Sequence, residues 1–464
     1  MQESSARGVR QPIPGSFDAE TLARTLAASG LAWCWLDGEA SPDGEQPVSY
    51  FGVTEHVFES DPGGERDFLE RLRAPHVVSA HHMNDACDAD GVGFHSGWVA
   101  ALSYEFGVSL EGVQPAHDSE ASAFALRLDA VLALTGDALE LRAASHAHLE
   151  AWREHHEHLL DSLRGVAPGS HPGSTLTSAS ALAAGTASWR RSRAQYENDV
   201  VAAKRAIARG DAYVLCLTDT ATIEGRFDPV DVYARLRRSG TAIRGGIIAA
   251  GDRALVSASP ERFLAVRGRE ISTRPIKGTR PRSADPDRDR ELATELAADA
   301  KERAENLMIV DLMRNDLSRV CEPGSVRVRG FLHVEHHPHV HQLVSTVVGQ
   351  LRAGVGVTDA ITACFPGGSM TGAPKRRAVE LLAVLEHEPR GLYSGCFGWI
   401  DDRGDTELAM TIRGVELRGL GGERPLALVG AGGGVTADSD PESERAEKDL
   451  KAASILAALR AGPA

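Results

Sequence analysis

The sequence contains no C-x-x-C pair; its six cysteines, at 34, 87, 216, 321, 364 and 396, are scattered. That scatter argues against a disulfide framework and against a zinc site. No apolar run approaches the ~20 residues needed to cross a bilayer. The opening residues, M-Q-E-S-S-A-R-G-V-R-Q-P, lack the apolar core of a signal peptide. Positive charge is in deficit: 50 Lys and Arg against 65 Asp and Glu leave a net charge of −15. Such a chain is a poor nonspecific partner for nucleic acid or an anionic membrane, and neither is expected to bind. An anionic substrate therefore needs a locally basic pocket. What remains, 42% hydrophobic and 25% charged residues, is ordinary for a soluble enzyme. We expect a cytoplasmic protein whose 464 residues form roughly two to three domains, or one large core with an elaboration.

Residues 1–165 carry aromatic and β-branched segments, among them Leu31–Leu36, Val48–Gly52, Gly97–Tyr104 and Ala123–Leu128. Turn signals such as D-P-G-G and S-P-D-G separate them, so they read as strands. A helix is predicted over His146–Leu163; its histidines form no H-E-x-x-H and read as a solvated face. Residues 166–192 read as a linker, Pro/Gly/Ser-rich over 166–187. A third region spans 193–458. It begins with a helix over Arg193–Arg209, a strand over Tyr213–Thr218, a helix near Val230–Arg238 and strands from Gly245 to Thr273. That order predicts an α+β fold.

Lys277 follows the strand-like Glu270–Thr273 and lies among Arg274, Arg280 and Arg282. Neighbouring cations disfavour a protonated amine, and burial adds to the effect, so this lysine is expected to be partly neutral. The plainer alternative is a solvated basic turn. Glu261, in Ser259–Phe263, stands between two strand-like segments, as a general acid or base or as a surface carboxylate paired with Arg262. Helices over Lys301–Asp316 and after Pro441 set Glu302 with Glu305 on one face and Glu444, Glu447 and Lys451 on another. Leu450, Ile455 and Leu456 are then available for the core. Such carboxylates either clamp a hard cation such as magnesium or are ordinary charged surface. The loop Phe365–Lys375, opening a helix over Arg376–Leu385, offers N–H groups to an anion without being a Walker loop. Gly430–Val435 lacks the third glycine and following helix of a dinucleotide loop. Histidines 333, 336, 337, 339 and 341 match no zinc spacing.

Taken together, S-P-E-R-F, R-P-I-K-G-T-R-P-R, A-K-E-R-A-E-N-L-M-I-V-D-L-M-R-N-D-L, P-G-G-S-M-T-G-A-P-K, Y-S-G-C-F-G-W-I, T-I-R and A-G-G-G-V-T-A-D-S-D resemble the chorismate-utilising enzymes. The resemblance covers 193–458. It implies a large α/β sandwich of two packed antiparallel sheets with helices outside and the active site in a cleft. Within the family, P-I-K-G-T carries lysine in the aminodeoxychorismate-forming branch and typically alanine in the anthranilate-forming branch. The resemblance thus implies that Lys277 attacks the chorismate ring as its hydroxyl departs, with Glu261 as acid–base partner. Ammonia then displaces the lysine, leaving 4-amino-4-deoxychorismate, a precursor of p-aminobenzoate and folate. It also implies Mg2+ on Glu305 and Glu447, with Glu302 and Glu444 in or beside its shell. Arg413, Tyr393, Gly432 to Gly434, Lys451, Ser369 and Thr279 are implied around the substrate.

Two positions depart from the family pattern. Gln342, in H-Q-L-V-S, stands where anthranilate-forming relatives have a catalytic histidine, which favours retention of the enolpyruvyl group. Val214 stands where isochorismate- and salicylate-forming relatives place a water-activating lysine, which counts against water as the nucleophile. In addition, Leu36-Asp-Gly-Glu39 replaces the tryptophan-binding L-L-E-S motif. No glutaminase module is visible, so ammonia is expected from free ammonium or from a glutamine amidotransferase subunit. Anthranilate synthesis is the nearest alternative, then isochorismate or salicylate synthesis, then a noncatalytic chorismate-binding module.

Overall fold

A computed structural model describes residues 8–38, 47–73, 93–164, 185–238, 244–337 and 340–460. Within them the strands assemble into two sheets, one of twelve strands and one of ten. Both draw on each half of the sequence. In the larger sheet Ala32–Asp37 pairs antiparallel with Arg244–Ala250, setting Trp35 opposite Ile247. In the smaller, Gly97–Leu102 pairs antiparallel with Cys396–Asp401, setting Ala100 opposite Gly398. The regions before 165 and after 193 therefore share both sheets. Of the stretch expected as a linker, 166–184 lie outside the described residues, whereas Ser188–Trp189 is a strand on Val214–Glu224. Cys87 and His339 also lie outside them; the other five cysteines are free and buried.

Covering both faces of a sheet demands apolar residues in succession rather than in alternation, and Arg253–Ser259 is buried at every position. Between the sheets lie Cys34, Leu126, Ile248, Phe397 and Trp399. Outside the larger sheet, the helices Ala19–Ala27, Pro229–Arg238 and Pro441–Arg460 bury Leu22, Val230 and Ile455. Outside the smaller, Ala300–Ser318 and Val357–Cys364 bury Ile309, Met313 and Ile361. Each fully buried side chain of this kind contributes ~1.5–3 kcal/mol. No helix among the described residues is long and apolar enough to cross a membrane.

Two helices matter most for the site. Asp299 caps Ala300–Ser318, accepting from the Lys301 and Glu302 N–H groups at 3.0 and 3.1 Å. Its later turns bury the apolar line, which leaves the first two turns to carry Glu302 and Glu305 at the cleft. The Pro441–Arg460 helix turns Glu444, Lys448, Ala452, Ile455 and Leu459 inward. Helical periodicity then points Leu450 outward, 74% exposed rather than in the core where it was expected. In the His146–Arg164 helix, His146, His148, His155 and His158 are exposed as expected, while His156 rests against Trp152.

Candidate active site

Lys277 lies in the edge strand Ile276–Pro281, which pairs with Val340–Gln350. The register shifts between Ile276 and Thr279, and Gly278 adopts φ 92° there. A Cβ at 278 would stand 3.1 Å from Glu302 Cβ, so glycine lets this irregular stretch lie against the Ala300–Ser318 helix. Lys277 Nζ is 3.9 Å from Glu305 Oε2.

The three arginines do not surround the amine, which corrects the sequence expectation. Arg274 is bonded to Glu335, Arg280 to Asp299 at 2.8 Å and Arg282 to Asp289 at 2.9 Å. Burial disfavours the Lys277 ammonium, but Glu305, Cys216, Glu261 and Glu447 outweigh it and hold its pKa above the ordinary lysine value. The amine is kept protonated, not partly neutral.

Glu261 is buried between the strands Arg253–Ser259 and Arg262–Arg267. Its Oε1 accepts from Ser369 Oγ at 2.7 Å. Burial pushes its pKa up, against the Ser369 hydrogen bond and the charges of Lys277 and Arg244. Arg262 is engaged elsewhere, donating to Glu407 at 2.8 Å, so the surface-pair alternative for Glu261 does not hold. Ser369 sits on a 3-10 turn, Gly368–Met370. A Cβ at Gly367 or Gly368 would meet Met410 Sδ at 2.7 Å or Leu312 Cδ2 at 2.4 Å. These glycines therefore let the loop press into the core.

The run Gly430 to Val435 is strand, within Leu426–Val435. Cys216 stands directly opposite Gly434, and Thr218 opposite Gly432. A Cβ at 430 would strike the Tyr393 ring at 2.0 Å, and one at 433 would come 2.9 Å from Glu444 Oε2. At 434 it would stand 3.4 Å from Val214 Cγ2 and 4.0 Å from Lys277 Nζ. Bare backbone thus leaves room for Tyr393, for Glu444 and for the lysine amine. Arg413 adopts φ 52°, and its Nη1 donates to the Lys451 carbonyl at 3.1 Å. Burial lowers its pKa, and no carboxylate among the described residues pairs with it. Lys451 Nζ donates to the Gly432 carbonyl at 3.0 Å and contacts Glu447 at 2.6 Å. Thr279 is exposed at the edge pairing, opposite Gln342, whose amide oxygen is buried without a partner among the described residues.

Two helices present a pair of carboxylates each, Glu302 with Glu305 and Glu444 with Glu447, and the charge of all four reaches Lys301. Glu302 is pushed up by burial and by Glu305, and Glu444 by burial and by Glu447, although Ser439 Oγ donates to Glu444 at 2.7 Å. Burial also acts on Glu447, but Lys451, Lys301 and Lys277 overcome it and lower its pKa. Repulsion within each pair of oxygen donors is what a hard dication relieves. No three such donors among the described residues meet closely enough to hold a metal by themselves.

Residues 39–457 match the family described as chorismate binding enzyme. The chain belongs to that family. It is 37% identical over 475 residues to an aminodeoxychorismate synthase of Streptomyces pristinaespiralis, covering 96% of this chain and 64% of that one. It is also 36% identical over 486 residues to an anthranilate synthase component 1 of Arthrobacter globiformis, covering 98% and 86%. Against the structure of anthranilate synthase component I from Streptococcus pneumoniae the TM-score is 0.71 at 25% identity, covering 98% and 93%. Several matched relatives are longer, and the chain spans about half of their length. Members of the chorismate-binding family that carry different names are thus similarly close to this chain.

Sequence reasoning missed two residues behind this family's cleft. Arg390 is 4% exposed and bonded to Glu386, the Met370 carbonyl and the Cys216 carbonyl. Lys375 donates to Asp316 at 2.7 Å and to the Cys364 carbonyl at 2.6 Å. Neither belongs to a periodic pattern; Glu386 lies only four residues before Arg390, but the Cys216 carbonyl and, for Lys375, Asp316 are remote in sequence. The one available signal was the cost of burying a cation unpaired.

Proposed function

We propose that this chain replaces the ring hydroxyl of chorismate with an amino group, forming 4-amino-4-deoxychorismate through a covalent bond to Lys277. The observation that carries this reading is the placement of Lys277: its amine faces the backbone of Gly434, with Val214 beside it and carboxylates around it. Arg413, part-buried and paired with no carboxylate among the described residues, supplies a second cation for a dicarboxylate substrate, near Lys451 and Tyr393.

Lys277 gives its proton to solvent before attack and takes one back from solvent once it is released. Its nitrogen then forms a C–N bond to the ring as the C–O bond breaks, and Glu261 gives the departing hydroxyl a proton so that water leaves. Ammonia forms the second C–N bond, the Lys277 bond breaks, and the surplus proton returns to Glu261. Glu305 and Glu447, with Glu302 and Glu444 beside them, would hold Mg2+, which when bound neutralises and orients a substrate carboxylate. Thr279 and Ser369 line the approach, and Ser369 orients Glu261. Val214 offers no group to activate water, which favours ammonia as the second nucleophile. We further propose that a glutamine amidotransferase subunit supplies the ammonia, in the cytoplasm.

Mass analysis of the product formed from chorismate, magnesium and ammonium tests this reading. Retention of the enolpyruvyl group with hydroxyl exchanged for amine is expected. A fluorescent aromatic product would instead establish anthranilate synthesis, the reading favoured by the Arthrobacter relative.

A further inference from the structure

The Val214–Glu224 strand has a gap along one edge. Gly372–Ala373 covers Leu215 and Val214, and Ser188–Trp189 covers Thr222 and Ala221, but on that edge no strand among the described residues lies beside 216–220. Buried backbone groups in such a gap need other partners. Charged side chains supply several of them. Arg390 Nη2 donates to the Cys216 carbonyl at 2.9 Å, and the Thr218 N–H donates to Glu386 Oε1 at 2.9 Å. Arg191 Nη1 donates to the Thr218 carbonyl at 3.0 Å. Arg390 and Glu386 hold each other through two bonds of 2.8 Å, and the guanidinium lies 3.9 Å from the centre of the Tyr104 ring.

The remaining arm of Arg390 reaches the active site. Its Nη1 donates to the Met370 carbonyl at 2.8 Å and to Ser394 Oγ at 3.2 Å. Met370 follows Ser369, whose hydroxyl gives Glu261 its 2.7 Å hydrogen bond. The same turn is tied to the strand by the Cys216 N–H, which donates to the Thr371 carbonyl at 2.8 Å.

We infer that Arg390 is a positioning residue: it fixes the turn that aims Ser369 at Glu261 and fastens that turn to the strand beside Lys277. The inference rests on Glu261 serving as the acid–base group of the reaction proposed above. A planar guanidinium meets two carbonyls and a carboxylate at once, which an ammonium does not reproduce. Glu386 cancels its charge, so Arg390 acts by geometry. If the turn loosens, Glu261 loses the bond that opposes the effect of burial, while Lys277 and Arg244, the charged groups facing it from neighbouring strands, remain.

The test compares Arg390→Lys, Ser369→Ala and the double variant in the full chain, following chorismate consumption across pH. Arg390→Lys is expected to lower kcat about tenfold with KM within about twofold. The pH limb governed by Glu261 should move upward in both single variants. The double variant should be no slower than Ser369→Ala, because both changes remove one interaction. Multiplicative losses, an unmoved limb or a matching rise in KM would overturn the inference. If Arg390→Lys does not fold, Glu386→Gln loosens the same guanidinium and should give a smaller loss confined to kcat; an unchanged kcat overturns the inference there. Chorismate loss is the readout, so an unexpected product would defeat the amination reading and leave this test standing.

Discussion

A part-buried guanidinium paired with no carboxylate among the described residues, as at Arg413, is unfavourable in the free protein and repays its burial when an anion arrives. Arg413→Lys keeps the charge but loses the two-pronged contact, worth about 1.5–3 kcal/mol. We expect KM for chorismate to rise ~10–100-fold with a smaller change in kcat. An unchanged KM in steady-state kinetics would remove Arg413 from the substrate site. Lys277 is the opposite case, a cation held charged by the acids around it. The sequence shows three arginines flanking it, yet each is drawn to a carboxylate in another segment, as far as 61 residues away for Arg274 and Glu335. Local sequence contains no record of those partners, so the amine's protonation state was not legible there.

Helices were legible where a start signal and spacing agree, as at Pro441. The irregular pairing around Gly278 was not, because a register shift breaks the period-2 signal that marks a strand. The carboxylate pairs on the two helices were legible as spacing, whereas their convergence depends on how the helices pack. Glu305→Gln and Glu447→Gln are each expected to lose about a hundredfold in activity at saturating magnesium, or ~3 kcal/mol. Unchanged activity and magnesium dependence in both would show that the clamp lies elsewhere.

A second test at the scale of elements concerns Glu335, on the Arg327–His336 strand. Burial alone would raise its pKa, but His337, Arg274 and His333 bring it down to about 2. A depressed carboxylate contributes stability that is complete above its unfolded pKa of about 4.3 and is lost as pH falls toward the folded value. Glu335→Gln should therefore cost about 1–3 kcal/mol at pH 7 and progressively less toward pH 2. Urea unfolding across that range measures it; an equal cost at both ends would show that the carboxylate charge is not what holds the strand.

For the molecule as a whole, the alternation and turns announced many strands, but not that both sheets would interleave segments from either side of the 166–192 stretch. Pairings such as Trp35 with Ile247 join residues too distant for any local pattern to foretell. Supply of ammonia also belongs to this scale. We expect ammonium at alkaline pH to support turnover alone, and glutamine to do so only with an added amidotransferase; glutamine-dependent product from the purified chain would contradict this.

The most direct measurement of the central claim is peptide mass mapping after incubation with chorismate and magnesium but without ammonia. A covalent adduct is predicted on the peptide containing Lys277 and absent from Lys277→Ala. That variant should still bind chorismate through Arg413 yet lose about a hundredfold or more in amination, ~3 kcal/mol of transition-state stabilisation. An unmodified Lys277 peptide, together with full-speed formation of aminodeoxychorismate by Lys277→Ala, would contradict the account.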